Sequence, residues 1–223
     1  MPGTITALKA QKRNHQRINV YMDGEFAFGL ARIVAAWLHI GQQLSDAKIA
    51  ELRAEDERES AFQMAVNYLS YRERSRSELE QHLARHDVSP ELSEGVLQRL
   101  KENGMLDDSR FARHWMENRN DLRPRSRRML AFELRRKGLE DGDIQQALEN
   151  LDDDDAAYRA ASAYVRKLRN LDWPDFRNRL SAFLARRGFS YATAAPIVSR
   201  VWAESHAGDE PETTMEDDEV DLA

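Results

Sequence analysis

The chain has 223 residues, with charged side chains at 32% and the apolar set at 41%, so it is more polar than an average globular protein. The absence of cysteine excludes a disulfide framework and a thiolate metal site, and no apolar run approaches the ~18–20 residues that span a bilayer. The net charge of −6 averages two unlike parts. Residues 206–223 carry eight acids (Asp209, Glu210, Glu212, Glu216, Asp217, Asp218, Glu219, Asp221) and no Lys or Arg, which leaves the remainder at +2. No charged segment precedes an apolar one at the start, so a cytoplasmic protein without membrane contact is expected.

The first thirty residues read as β. Ile5–Ala10, Arg17–Met22 and Glu25–Leu30 are short alternating or β-rich runs, and Asp23-Gly24 between the last two is a two-residue hairpin signal. A short apolar helix is predicted over Ala31–Leu38, stopped near Gly41. Ser45 then caps a charged helix running through Ile49 and Leu52 toward Glu59.

From there a pattern recurs. Leu79, Leu83, Val88, Leu97 and Leu100 are matched 51 positions later by Leu130, Leu134, Leu139, Leu148 and Leu151. A third copy follows after 50 more, at Leu180, Leu184, Phe189, Val198 and Val201. Self-similarity of this period marks stacked supersecondary units, none of which buries its apolar face alone.

Each unit reads as three helices. In the first, Ala61, Met64 or Ala65, Tyr68 and Leu69 form a stripe, Ser75 with Glu78 is a capping box, Ser89-Pro90 opens the third helix and Asn103-Gly104 ends it. In the second, Asp107 or Asp108 caps a helix through Phe111, Ala112 and Trp115, Ser126 caps the next, and the third spans Ile144–Leu151. The third runs from Ala156 through Tyr164 to Leu168, from Asp172 to Arg187, and from the cap Ser190 to about Glu204. Gly138 and Gly188 share one repeat position, a helix end that needs a left-handed residue, and Asp87 holds it in the first unit.

The expected fold is thus mainly α: three tandem three-helix repeats in an elongated curved array, with a small N-terminal β-hairpin region and a disordered acidic C-terminal tail. The predicted boundaries are 1–30 for the strands, 31–58 for connecting helices, 59–106, 107–152 and 153–205 for the repeats, and 206–223 for the tail. The tail's charge, its Pro211 and its lack of aromatics underlie that last assignment.

Arginine is the strongest chemical signal. Between Arg110 and Lys137 ten basic residues face only Glu117, Asp121 and Glu133, with Arg110 and Arg113 at its leading edge. At 100° per residue, Arg125, Arg128, Phe132, Arg135 and Arg136 fall opposite the Leu130–Leu134 direction. The matching face of the first repeat has Arg74, Gln81 and Arg85, diluted by Glu78; that of the third has Arg179 and Arg186. A basic face with an exposed aromatic suits phosphates or an acidic protein groove.

Other groupings have plainer readings. Asp107, Asp108 and Asp121 as metal ligands lose to helix capping, and Asp152–Asp155 reads as the acidic start of a helix. His82 and His86 are four apart but lack a third ligand nearby. Trp115, Trp173 and Trp202 read as packing residues. There is no Walker loop, no Gly-x-Gly-x-x-Gly and no Gly-x-Ser-x-Gly, so the reading is a protein that is not an enzyme and carries neither cofactor nor metal.

The phrases Tyr-Leu-Ser-Tyr-Arg-Glu-Arg-Ser-Arg-Ser-Glu-Leu (68–79), Gly-Met-Leu-Asp-Asp-Ser-Arg-Phe-Ala (104–112) and Glu-Leu-Arg-Arg-Lys-Gly-Leu (133–139) resemble the RecX family, regulators of the RecA recombinase. The resemblance covers roughly residues 15–203, including the Val-Tyr-Met-Asp-Gly-Glu hairpin. It implies an elongated, curved molecule that binds along the groove of the RecA–single-stranded DNA filament, limiting its extension and suppressing ATP hydrolysis and strand exchange; a monomer is expected. Single- or double-stranded DNA is a further expected partner. The long acidic tail departs from the family pattern. Residues alone leave a second reading open, a general nucleic-acid-binding helical repeat protein.

Overall fold

The computed structural model describes residues 2–207 and divides the chain into two compact units, 1–111 and 112–223. The tail expected at 206–223 lies outside the described residues from 208 onward, while His206 still belongs to a helix.

The first unit opens with a four-stranded antiparallel sheet of β1 (Gly3–Ala10), β2 (Arg17–Met22), β3 (Glu25–Ala31) and β4 (Gln43–Leu44), in the order β3-β2-β1-β4. Asp23 (φ 50°) and Gly24 (φ 91°) both adopt the left-handed conformation that the hairpin turn demands. One face of the sheet buries Ile5, Val20, Met22, Phe28 and Leu30 with Leu44, Ile49 and Leu52. Two expectations change here. The predicted helix over Ala31–Leu38 is a single 3-10 turn, Val34–Trp37, and β4 had no sequence signal because two residues are too few for alternation.

Helix α1 (Asp46–Ser70), capped by Ser45, is one uninterrupted helix, so the predicted boundary between 58 and 59 falls inside it. Its N-terminal half belongs to the sheet: Asp56 accepts from Arg17 Nη2 at 2.9 Å and from the Ala31 amide. Its C-terminal half packs with α2 (Arg76–Ala84) and α3 (Pro90–Glu102) around Ala61, Phe62, Ala65, Leu79, Leu83, Leu97 and Leu100. The Ser75/Glu78 capping box, the Ser89 cap and Pro90 are all formed as expected, and Asp87 sits at φ 60°.

The second unit holds most of α4 (Asp108–Leu122), then α5 (Arg127–Arg136), α6 (Asp141–Leu148), α7 (Asp153–Val165), α8 (Trp173–Arg186) and α9 (Tyr191–His206). Every apolar repeat position from Leu130 to Val201 named above is buried. The third helix of the middle repeat begins and ends three residues earlier than the Ile144–Leu151 expectation, since Leu151 is a buried residue of the connection. Likewise α7 stops at Val165 and Leu168 packs from the loop.

Repeats two and three dock through α5 and α8. The Ser126 amide donates to the Arg187 carbonyl at 3.1 Å, and Arg187 Nη1 donates to the Pro124 carbonyl at 2.9 Å. Gly188 (φ 91°) lies so close to the first turn of α5 that a Cβ there would stand 2.7 Å from Met129 Cβ.

Candidate partner-binding face

Helix α5 starts where Ser126 accepts from the Met129 amide and stops at Gly138 (φ 77°). With Leu130 and Leu134 fully buried, helical geometry turns Arg128, Phe132, Arg135 and Arg136 to solvent, and Phe132 is 54% exposed. Arg136 lies over the Phe132 ring at 5.9 Å, so the aromatic is framed by cationic charge. Arg135 is partly neutralised by Asp141 at 2.9 Å, both side chains being exposed. Arg128 reaches the Gly188 carbonyl at 3.4 Å, at the end of α8. Arg186, two residues before that glycine, and Arg179, farther back along α8, are also exposed.

Three predicted members stand differently. Arg125 precedes the helix, its side chain is only 30% exposed, and it pairs with Glu133. Arg110 belongs to the first unit, where it donates to the Gly104 carbonyl at 3.1 Å and faces Glu73 at 3.6 Å. It closes the end of the first repeat. Arg113 is exposed on α4.

Around Glu133 the structure assembles a cluster that spacing alone did not single out. Its half-buried carboxylate accepts from Trp115 Nε1 at 3.1 Å and pairs with Arg119 at 3.3 Å as well as with Arg125. Arg119 and Lys137 lie over the Trp115 ring at 4.8 and 5.1 Å. Arg187 stacks on Phe183 at 4.5 Å. Burial, followed by repulsion from Arg119 and Arg123, lowers the affinity of Arg125 for its proton; burial, then Arg125 and Arg123, does the same to Arg187. The only advance signal was the excess of charge between Arg110 and Lys137, because the members come from α4, a loop, α5 and α8.

The remaining groups are placed as follows, Trp115 having joined the Glu133 cluster instead of an apolar core. Asp107 caps α4 by accepting from the Arg110 amide at 2.8 Å, and Asp108 accepts from the Arg76 amide of α2 at 2.8 Å. Trp173 and Trp202 pack edge to face at 5.3 Å against Phe176. His82 stacks on Tyr68 at 3.8 Å and meets His86 at 4.7 Å. Among the described residues no three His, Cys, Asp or Glu side chains are grouped to hold a metal ion, and no helix is long and apolar enough to cross a membrane. In the first repeat, Arg74 is folded over Tyr68 at 4.0 Å while Gln81 and Arg85 stay exposed.

The fold and this surface define a class: tandem three-helix units that follow a small sheet in the chain and present arginines on their helices. Four family models match in order: the N-terminal domain of regulatory protein RecX over residues 3–45, and the first, second and third three-helix domains over 61–100, 107–148 and 152–195. The chain belongs to the RecX family. It is 32% identical over 218 residues to the regulatory protein RecX of Bacillus pumilus, covering 95% of this chain and 81% of that one. Against the Bacillus subtilis protein of the same name the identity is 31%, covering 93% and 81%. A crystal structure of regulatory protein RecX superposes with a TM-score of 0.71 at 26% identity, over 88% of this chain and 99% of that one. The crystal structure of RecX from Lactobacillus salivarius shares the fold, with a TM-score of 0.59 at 21% identity.

Proposed function

We propose that this protein binds the RecA–single-stranded DNA filament through the exposed cationic face of α5 and α8, and so limits filament extension and ATP hydrolysis, acting as a regulator and not as an enzyme. The observation that carries the proposal is the placement of Arg128, Arg135, Arg136 and Phe132 outside the core, opposite Leu130 and Leu134. Evolution of a solvated helix face alone would not require three arginines and a half-exposed phenylalanine on so short a helix. Family membership supports the recombinase filament as the anionic partner.

The test reverses Arg128, Arg135 and Arg136 to Glu and follows ATP hydrolysis by RecA filaments on single-stranded DNA. Loss of a charge pair at a desolvated contact is worth ~2 kcal/mol or more, whereas surface changes move folding by less than ~0.5 kcal/mol each. The triple variant should therefore keep its circular dichroism and lose suppression, while Arg58→Glu on the exposed side of α1 keeps both. A folded triple variant that still suppresses hydrolysis moves the contact elsewhere. If binding to free single-stranded DNA accounts for the effect and falls log-linearly with salt, general nucleic-acid binding replaces the filament reading.

A further inference from the structure

Among the described residues, the Glu133 cluster gathers more guanidinium groups than carboxylates that pair with them. Arg119 and Arg125 share one carboxylate, Arg123 is exposed with no carboxylate partner among the described residues, and Arg187 is held by a carbonyl and an aromatic ring. Two arginines elsewhere in the same unit are instead matched on their own helices, Arg159 with Asp155 at 2.9 Å and Arg200 with Glu204 at 2.7 Å. Half-buried guanidinia crowded in this way repel one another in a medium of lower dielectric than water, and an added anion would relieve that repulsion. The cluster is therefore a surface shaped for a polyanion.

We propose that its resident occupant is the chain's own acidic segment, Asp209–Asp221. That stretch has eight carboxylates and no Lys or Arg to compete for them. Its point of departure is also near. Glu204, in the last turn of α9, accepts from Tyr158 Oη at 2.9 Å; the next residue, Arg159, donates to Asn120 Oδ1 at 2.8 Å and to the Asn120 carbonyl at 3.2 Å. Asn120 adjoins Arg119 on α4 and lies three residues before Arg123. Two side-chain contacts joined by one peptide unit thus link the end of α9 to the cluster, a path of at most roughly 30–35 Å at ~3.8 Å per peptide step plus side-chain lengths. The sixteen residues 208–223 can reach roughly 50 Å when extended, so the tether is more than long enough. Tethering raises the effective concentration of the acidic segment at the cluster into the millimolar range, where weak individual ion pairs suffice. A partner anion using this edge must displace it, a consequence that, unlike the contact itself, rests on the proposed binding face.

The experiment needs no partner. The chain lacks cysteine, so Thr214→Cys offers a unique site for a nitroxide, whose paramagnetic broadening of backbone amides is read in the full-length protein. At ~10 mM salt, where the Debye length is ~30 Å, signal loss should be strongest at residues 119–127 and 186–188 and should vanish near ~0.5 M salt. It should also vanish when all eight carboxylates are replaced by their amides, a change that leaves the folded body untouched, and weaken with Arg123→Gln. Broadening confined to the end of α9, spread evenly over the unit, or unaltered by the amide substitutions would overturn the contact. Any of those results leaves the filament reading standing, because no filament is present in the measurement.

Discussion

Gly188 offers a sharp test of how the second and third repeats are joined. Replacing it with alanine has two separable costs. The residue sits at φ 91°, where a Cβ is disfavoured by about 1–2 kcal/mol. The added carbon would also stand 2.5 Å from Ser126 Oγ and 2.7 Å from Met129 Cβ, so the first turn of α5 must retreat, an overpacking cost of about 1–3 kcal/mol. Together Gly188→Ala should destabilise the second unit by about 2–5 kcal/mol. Gly142→Ala is the matched control. That glycine lies within α6 with open space around its Cβ position, so the same substitution should stabilise by up to ~1 kcal/mol. The assay is urea unfolding followed by the fluorescence of Trp115, Trp173 and Trp202, all in that unit. With a slope of ~2 kcal/mol per molar urea, the two midpoints should move in opposite directions and separate by ~1 M or more. Midpoints that coincide would mean that α5 and α8 do not meet as described.

Two further outcomes follow from the cores and the titrating groups. Leu134→Ala, at a fully buried position, should cost about 2–5 kcal/mol and lower the urea midpoint of its neighbours in the array. An unchanged midpoint would mean that the repeat register is wrong. His82 is held below its usual proton affinity chiefly by burial, then by His86, Arg85 and Arg74. The unfolded chain therefore binds the proton more readily, so this contribution is complete above the ordinary histidine range and is lost as pH falls through ~6.5 and below. His82→Phe, which keeps a ring against Tyr68, should flatten that part of the stability–pH curve, and an unaltered curve would assign it to another group.

Much of this architecture was legible because the apolar positions, caps and glycines repeat together. Ser75, Ser89, Ser126 and Ser190 cap the helices that their spacing indicated, and Leu130 and Leu134 point inward as the 3.6-residue period requires. The misses have physical causes. The junction at 58–59 looked like a boundary because the apolar stripe changes partner there, from sheet to helices, while the backbone of α1 continues. The 3.6-residue period of α5, extended back two residues before Arg127, points Arg125 outward, but the chain turns at Ser126 and delivers the side chain to Glu133. The Glu133 cluster is assembled across four segments, and periodicity within any one of them is silent about it.

The aspartates at the repeat boundaries show why a sequence of caps can still hide its wiring. Asp152 caps its own helix, accepting from the Asp154 amide at 2.8 Å, and Asp155 pairs with Arg159 one turn on. Asp153, between them, does something else. Its carboxylate accepts at 2.7 Å from the amide of Arg127, the first residue of α5, in the preceding repeat. Asp108 treats the Arg76 amide at the head of α2 in the same way, so the second helix of a unit is completed by the first helix of the next. A helix N-terminus leaves amides without intrahelical partners, and this device satisfies one of them only when the neighbouring repeat is in place. Within the second compact unit, Asp153 therefore couples repeats two and three through a hydrogen bond as well as through packing. Asp153→Ala should cost about 0.5–2 kcal/mol, the range of a lost cap, whereas Asp154→Ala, exposed in the same first turn, should lose only a dipole contribution of ~0.3–1 kcal/mol. Location discriminates better than magnitude. Amide hydrogen exchange in Asp153→Ala should quicken at the start of α5, some twenty-six positions away in sequence, more than in α7, where the substitution lies. Faster exchange confined to α7 would reduce Asp153 to a local residue and leave the repeats joined by packing alone.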